Sequence, residues 1–469
     1  MMRQQLDTDQ KALNINLNEK IYGTFAEIGA GQEVARYFFK VGAAAGTVAK
    51  TMSAYDKIVS DDIYGREKKG RYVCESRLYK MLDHEFELID QRLSQHRPDT
   101  NLFVFADTVS TINYHRTTNG HGWLGIRFQL HPQSPPNDIV LHVKMLDHDY
   151  QQQQSAVGIL GVNLIYACYY YYDDPRVFLQ SLMDDLAGRV QVDLVRMTGP
   201  DFDHIDNRLL SLWLIQYGLT DVSIIGPDKK NIHASEFLYK KHALIVRGSY
   251  RPATLVNWDM IRKSFDQFQK EPSVDPEKAF LLTEITLDNL QSDGEINEKD
   301  FLDRTEILCE TGHTVLISNC EKYQKLIHYL KDYKLKNLGL VIGVRQLHEL
   351  IQTLYERNVE GSLLAAFGDI FLKNIRLYVY PAMNEEKGGL WTAHNMPIPP
   401  DVRYLYKHLL ENRQITDVEH CAADNLSIYS KNVLKMIRAG APGWAAMVPP
   451  EVEKIIREKK LFGYLAQPN

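Results

Sequence analysis

The densest group of polar side chains in the sequence lies between residues 107 and 123. Asp107 follows the apolar run 102–106, which predicts a buried strand, and α/β proteins place ligand-binding groups at the ends of such strands. His115 and His121 suit proton transfer because histidine titrates near neutral pH. Arg127 could orient a substrate. We therefore predict that these four residues form a catalytic group; the alternative is an exposed, solvated hairpin.

A second catalytic pattern begins at His142. His142 and Lys144, followed by Asp149, match the H-x-K-x4-D pattern of phospholipase-D-like phosphodiesterases. In that chemistry a histidine attacks phosphorus while the lysine neutralises the phosphate. Such sites use two histidines and the sequence holds one copy of the pattern, so the hypothesis requires a composite site in a homodimer. The alternative is a strand with alternating polar residues.

A metal site is a weaker hypothesis for the segment after Val195. Asp201, Asp203 and His204 offer carboxylate and imidazole groups, which are usual ligands of divalent metals. Aspartate also caps helix N-termini, so helix capping is the alternative role. The sequence identifies no cofactor.

Arginines recur where predicted strands end. If these strands are parallel, their carboxyl ends share one edge of the sheet. Several guanidinium groups at that edge favour an anionic ligand such as a phosphate or a carboxylate, although they could instead pair with neighbouring acids. The predicted ligand-binding residues are Arg196, Arg247, Arg251, Glu284, Asn319 and Arg345.

The elements that must position these residues alternate in type. Short apolar runs such as 190–195, 280–287 and 338–344 predict strands, and amphipathic segments such as 208–217 and 321–333 predict helices. This alternation is typical of parallel pairing with helical crossovers. We predict an α/β fold with a mostly parallel β/α core and helical N-terminal and C-terminal regions. The expected divisions are 1–95 (helical), 96–270 (α/β), 271–400 (a second α/β region) and 401–469 (helical).

Composition restricts the class of protein. The chain has 469 residues, 44% of them hydrophobic, and a net charge of −6, which argues against a nucleic-acid partner. No apolar run of about 18 residues is present, and the polar N-terminus lacks the features of a signal peptide, so no membrane association is expected. Five cysteines without C-x-x-C spacing suit a reducing cytoplasm.

Several stretches resemble a widespread family of uncharacterised bacterial proteins: GTFAEIGAGQEVARYFF, LHVKMLDHDYQQQQSAVGILGVNLIYACYY, HTVLISN and PGWAAMVPPEVEKIIREKKLFGY. The resemblance covers nearly the whole chain and implies a bacterial origin. Names such as nicotinate-nucleotide adenylyltransferase are used for members of this family. The motifs do not support that activity, because the segment 120–122 reads G-H-G and not H-x-G-H.

Together these patterns predict a cytoplasmic protein that acts on or binds a small phosphorylated or carboxylated metabolite, with the reaction and the question of catalysis open. The alternative is a self-assembling or partner-binding component. A homo-oligomer is expected in either case, with the aromatic runs 37–39 and 169–172 as possible interface anchors and the polar residues 1–20 as an arm. A phosphodiesterase with a composite dimeric site is the third hypothesis.

Overall fold

The computed structural model describes residues 5–68, 70–116, 118–291, 294–356, 363–372, 374–384 and 388–465. The chain divides into two compact units, unit 1 (residues 1–220) and unit 2 (residues 221–469). The boundaries expected after residues 95, 270 and 400 do not coincide with this division. The reason is that strands from the expected helical N-terminal region pair with strands that follow residue 96.

Unit 1 is built on a six-stranded sheet. Its order is β2-β1-β3-β4-β5-β6, with β1 parallel to both of its neighbours and the remaining pairs antiparallel. The strands are β1 (Ile21–Gly29), β2 (Val48–Ala54), β3 (Asn101–Ser110), β4 (His121–Phe128), β5 (Asn137–Met145) and β6 (Val190–Thr198).

Helices cover both faces of this sheet. They are α1 (Thr8–Asn16), α2 (Glu33–Lys40), α3 (Lys57–Tyr64), α4 (Glu75–Leu93), α5 (Tyr150–Tyr170), α6 (Pro175–Ser181) and α7 (Asn207–Gln216). One buried core joins α4 to the sheet, and the other joins α1, α2 and α5 to the opposite face. Alternating side chains along a strand point to opposite faces, so each strand contributes to both cores.

The long apolar segment of the sequence forms α5. Residues 156–168 of this helix are all buried, as expected for a core element. In the described part of the chain, no helix combines the length and the apolar character that crossing a bilayer requires.

The N-terminal arm packs on its own unit through α1. The Nζ of Lys11 lies 2.6 Å from Oδ2 of Asp184 and 2.8 Å from Oδ1 of Asn163, and Lys11 is only 1% exposed. Ala12 and Ile15 of the same helix are fully buried. Contacts within unit 1 therefore hold the part of the arm that the structure describes.

Unit 2 contains an eight-stranded sheet of order β16-β13-β12-β9-β10-β11-β7-β8. All neighbours from β16 to β11 are parallel, and β7 and β8 extend the sheet as an antiparallel hairpin. The strands are β7 (Val222–Ile225), β8 (Asn231–Ile232), β9 (His242–Arg247), β10 (Ala279–Thr286), β11 (Thr314–Ser318), β12 (Asn337–Gly343), β13 (Ile375–Tyr380), β16 (Ile415–Asp417) and, in a separate hairpin, β14 (Ala382–Met383) and β15 (Leu390–Trp391).

The helices of unit 2 alternate with these strands or follow the last of them. They are α8 (Ala234–Leu238), α9 (Leu255–Gln269), α10 (Leu287–Gln291), α11 (Glu298–Glu310), α12 (Tyr323–Lys331), α13 (Val344–Glu356), α14 (Leu363–Gly368), α15 (Arg403–Glu411), α16 (Ser430–Arg438) and α17 (Pro450–Lys459). Apolar strand residues and helix residues together form the buried core.

The α/β fold class is confirmed, and so is the mostly parallel sheet of unit 2. Two features differ from the expectation. Residues 21–54 hold two strands where a helical region was expected. The strand β1 was not expected because Gly23, Thr24 and Glu27 interrupt its apolar pattern, although the strand is buried. The strands from β3 to β6 are antiparallel. The connections from β3 to β4 and from β4 to β5 are too short for the crossover that parallel pairing needs, whereas β6 is antiparallel to β5 although two helices lie between them in the chain. The C-terminal region contains α15, α16 and α17 together with the short strand β16.

Candidate functional site

A pair of buried carboxylates lies at the point where the chain of unit 1 changes direction in the sheet. From β1 the chain runs to β2 on one side and then to β3 on the other, and such switch points are where open α/β sheets bind ligands. Glu27 of β1 and Asp107 of β3 are partners in the parallel register, near the carboxyl ends of their strands. Glu27 is 2% exposed and Asp107 is fully buried.

The two carboxylates have no cation to neutralise them among the described residues. Both oxygens of Asp107 lack a hydrogen-bond partner of normal geometry there, and Glu27 accepts one long bond, 3.4 Å, from the N–H of Ala35. Burial raises the pKa of Glu27 to about 7, and the N–H of Ala35 only partly opposes this. Burial and then the charge of Glu27 raise the pKa of Asp107 well above its usual range, although the N–H of Ile28 lowers it in part. Near neutral pH the pair therefore holds at least one proton.

The turn between β1 and α2 is shaped around this pair. Gly31 lies against Asp107 so closely that a Cβ at position 31 would be 2.0 Å from Oδ1. Gly29 has a φ of +83°, which L-residues rarely adopt, so this glycine permits the turn. The side chain of Gln32 then donates to the hydroxyl of Ser53 at 2.9 Å and ties the turn to β2. A carboxylate near the first N–H groups of α2 also benefits from the positive end of the helix dipole.

Histidines from two neighbouring strands of unit 1 form a second group. Nδ1 of His142 lies 2.6 Å from Oδ1 of Asp193, and its Nε2 lies 3.3 Å from Nδ1 of His121. Lys144 lies 3.8 Å from the other carboxylate oxygen of Asp193. The structure thus brings together three of the predicted catalytic residues. In this chain of contacts the carboxylate of Asp193 can orient the ring of His142, and a proton can pass between the two imidazoles.

The remaining predicted catalytic residues lie elsewhere in unit 1. Arg127 forms a bidentate ion pair with Asp138, with both N–O distances 2.7 Å, and bonds Asp83 at 2.5 Å. Burial lowers the pKa of Arg127, but these carboxylates raise it by more, so the guanidinium is firmly charged. His115 is exposed in the loop after β3, in ring contact with Tyr114.

Among the described residues, the predicted metal ligands do not bring their ligand atoms together in one cluster. Asp201 accepts a hydrogen bond of 2.8 Å from Nδ2 of Asn137, while Asp203 and His204 are exposed. Arg196 of β6 is also in unit 1, where it pairs with Glu75 and contacts the hydroxyl of Tyr79. It therefore does not belong to the sheet edge that carries the other predicted arginines.

The other predicted ligand-binding residues lie at the carboxyl edge of the parallel strands of unit 2. Arg247 at the end of β9 forms a bidentate pair with Glu284 of β10, at 2.8 and 3.0 Å. The hydroxyl of Ser318 at the end of β11 donates to the same carboxylate at 2.6 Å. The guanidinium lies 4.2 Å from the ring centre of Tyr323, whose pKa burial raises to about 12, so the ring stays neutral. Burial lowers the pKa of Arg247, but Glu284 raises it above its ordinary value.

A second ion-pair group continues along this edge. Asp300 accepts hydrogen bonds from Nε of Arg251 at 2.6 Å and from Nε of Arg304 at 2.7 Å. Arg304 also donates to the carbonyl of Ser249, in the loop after β9, at 3.1 Å. Arg345 follows β12 directly and donates to the carbonyl of Met383 at 3.2 Å.

Asn319 follows β11, and its N–H donates to the carbonyl of Asp221 at 2.9 Å. The order β11-β10-β9-β12 makes these strands consecutive, so the residues that follow them share one edge.

Sequence reasoning missed the acids that complete each group. Glu27 and Asp193 lie far along the chain from Asp107 and His142, and Asp300 lies 49 residues from Arg251, so spacing did not reveal these three contacts. One signal was present: Glu27 is a lone acid in the apolar stretch 25–28, and a charge inside a buried strand needs an explanation.

Comparisons with known proteins give a partial likeness. No protein-family model matches the chain. No curated protein matches it either. A competence/damage inducible protein, CihA from Agrobacterium tumefaciens, aligns with 36% of this chain and 98% of its own at 15% identity and a TM-score of 0.26.

A competence-damaged protein (CinA) superfamily protein from Enterobacter cloacae aligns with 36% of this chain and 95% of its own, at 10% identity and a TM-score of 0.26. A CinA superfamily protein from Escherichia coli covers 34% and 92%, at 15% identity and 0.25. TM-scores this low carry no argument about function.

Proposed function

We propose that the protein binds a small phosphorylated or carboxylated metabolite at the carboxyl edge of the sheet in unit 2. The observation that carries the proposal is the strand order. From β9 the chain builds β10 and β11 on one side, and it then returns to build β12, β13 and β16 on the other. Ligands of doubly wound sheets bind in the crevice at this switch point, outside the carboxyl ends of the strands.

The charge at this edge supports an anionic ligand. Strands β9 and β10 and the segments that follow them hold three guanidinium groups that pair with two carboxylates. The guanidinium groups are those of Arg247, Arg251 and Arg304, and the carboxylates are those of Glu284 and Asp300. The group therefore has an excess of one positive charge. The acids also fix the arginines in place, which lowers the entropy that a ligand must remove on binding.

A thermal-shift screen with nucleotides, dinucleotides, sugar phosphates and small carboxylates tests this proposal. We expect at least one compound to raise the melting temperature of the intact chain. Arg345→Gln should reduce that shift, because Arg345 is an exposed arginine beside the crevice. Arg403→Gln, at an exposed position on α15, is the matched control and should leave the shift unchanged. A panel without effect, or equal shifts in both variants, would contradict the proposal.

A second candidate function concerns unit 1. The contact of His142 with both Asp193 and His121 favours acid–base or nucleophilic chemistry on a phosphodiester, with Lys144 nearby. Hydrolysis of bis(p-nitrophenyl) phosphate is the assay. His142→Ala should abolish turnover, while His131→Ala, at an exposed position after β4, should not. Full activity in the first variant would exclude this function. For either function we propose that the protein is bacterial, is located in the cytoplasm and forms a homo-oligomer.

A further inference from the structure

A cavity in unit 1 lies at the end of the sheet opposite to Glu27 and Asp107. It measures about 480 Å³, and the first residues of β3 and the residues after β4 help to line it. Ligand pockets for small molecules commonly fall between about 300 and 1,000 Å³. Nothing in the functions proposed above uses this cavity.

Arg97 supplies a fixed cation in the wall. Its guanidinium stacks on the ring of Tyr22 with 3.7 Å between Cζ and the ring centre. In the part of the chain that the structure describes, this guanidinium forms no ion pair. The N–H groups of a stacked guanidinium point outward in its own plane, beside the aromatic ring. There they remain able to donate two hydrogen bonds to a carboxylate.

Asp90 supplies an anion in the same wall. It lies one turn before the end of α4, and its carboxylate likewise forms no ion pair among the described residues. One cation and one anion make the pocket neutral in total but polarised. That pattern complements a zwitterion, whereas a phosphate dianion would meet the charge of Asp90.

The remaining wall is apolar on one side. Phe86, Pro135 and Pro136 line it and could contact an aliphatic side chain. From this combination we propose that the pocket binds a zwitterionic α-amino acid with an apolar side chain. Arg97 holds the carboxylate and Asp90 holds the ammonium group.

Isothermal titration of the intact protein with leucine, methionine, glycine and inorganic phosphate tests the proposal. We expect saturable binding of leucine or methionine, weaker binding of glycine and none of phosphate at this site. Arg97→Gln should weaken leucine binding by at least about tenfold, as loss of a charge-assisted bond usually does. Arg92→Gln, at an exposed position on α4 outside the cavity, should not change it.

A matched pair of ligands separates the two charges. Asp90→Asn should weaken the binding of leucine but not that of 4-methylpentanoate, which has the same side chain and carboxylate but no amino group. Absence of binding by every amino acid tested, or equal affinity of wild type and Arg97→Gln, would overturn the proposal. An equal effect of Asp90→Asn on both ligands would overturn the role given to Asp90.

Discussion

Replacing Asp107 by asparagine should make unit 1 more stable at alkaline pH. In the folded protein the pKa of Glu27 is raised from 4.5 to about 7, and that of Asp107 is raised well above its usual value. A carboxyl group whose pKa is higher in the folded state binds its proton more tightly there. Its contribution to stability is complete below the unfolded pKa and is lost as the pH rises through the folded pKa.

The magnitude follows from the change at Glu27. A rise from 4.5 to about 7 corresponds to about 3 kcal/mol, at roughly 1.4 kcal/mol for each pKa unit. The free energy of unfolding of the wild type should therefore fall by about 3 kcal/mol between about pH 4.5 and pH 8 through this group alone. Asp107 acts in the same direction and extends the loss above pH 7. Asparagine at position 107 does not ionise, so it removes the loss of stability that Asp107 causes, and its amide can donate a hydrogen bond to the carboxylate of Glu27.

Urea unfolding at several pH values from 5 to 8 measures this effect, and hydrogen exchange of peptides from unit 1 separates its unfolding from that of unit 2, because tryptophans occur in both units. The difference in stability between Asp107→Asn and wild type should grow steadily with pH. Asp62→Asn, at an exposed position on α3, is the control and should follow the wild type. A wild type whose stability is the same at pH 5 and pH 8, or a variant with the same pH slope, would refute the reasoning.

Three further predictions concern packing and assembly. Gly31→Ala should destabilise unit 1 by about 1–3 kcal/mol in urea unfolding, because the new methyl group would overlap the carboxylate of Asp107; Gly368→Ala, where nothing lies within 4 Å, is its control. Lys11→Met should lower stability by about 3–5 kcal/mol by leaving a buried acid without its lysine. Lys40→Met, which removes the exposed pair with Asp9, should have a much smaller effect, and equal losses in the two variants would contradict this. If the chain assembles through the apolar exposed face of α3, where Ile58 is 70% exposed, Ile58→Asp should lower the mass measured by light scattering, and an unchanged oligomer would exclude that face.

The sequence predicted the elements of the sheet better than their pairing. The strands of unit 2 are continuous apolar runs between amphipathic helices, so their positions and parallel direction could be predicted. Their shared edge followed from that direction, and it gathers Arg247, Arg251 and Arg345. What could not be predicted is that Glu284 and Asp300 pair with two of these arginines. Glu284 meets Arg247, 37 positions away, through the register of β9 and β10, and Asp300 meets Arg251, 49 positions away, through the packing of α11.

Unit 1 was harder to predict. Its carboxylate pair depends on Glu27, and this charged residue interrupts the apolar pattern by which the strand β1 could have been recognised. Glu27 makes β1 look less like a strand, yet its position opposite Asp107 forms the carboxylate pair. Arg97 was missed for a different reason. It is a single arginine in the loop after α4, and only the cavity around it and the ring of Tyr22 give it a role.

The anchoring of α1 has a consequence for synthesis on the ribosome. This helix is translated before the described acceptors of Lys11, because Asn163 and Asp184 follow Lys11 by 152 and 173 residues. During most of the translation of unit 1 the lysine can neither be buried nor paired at its final position. We therefore expect α1 in the nascent chain to stay accessible to protease until Asp184 has left the exit tunnel, so that docking of this helix is a late step in the folding of unit 1.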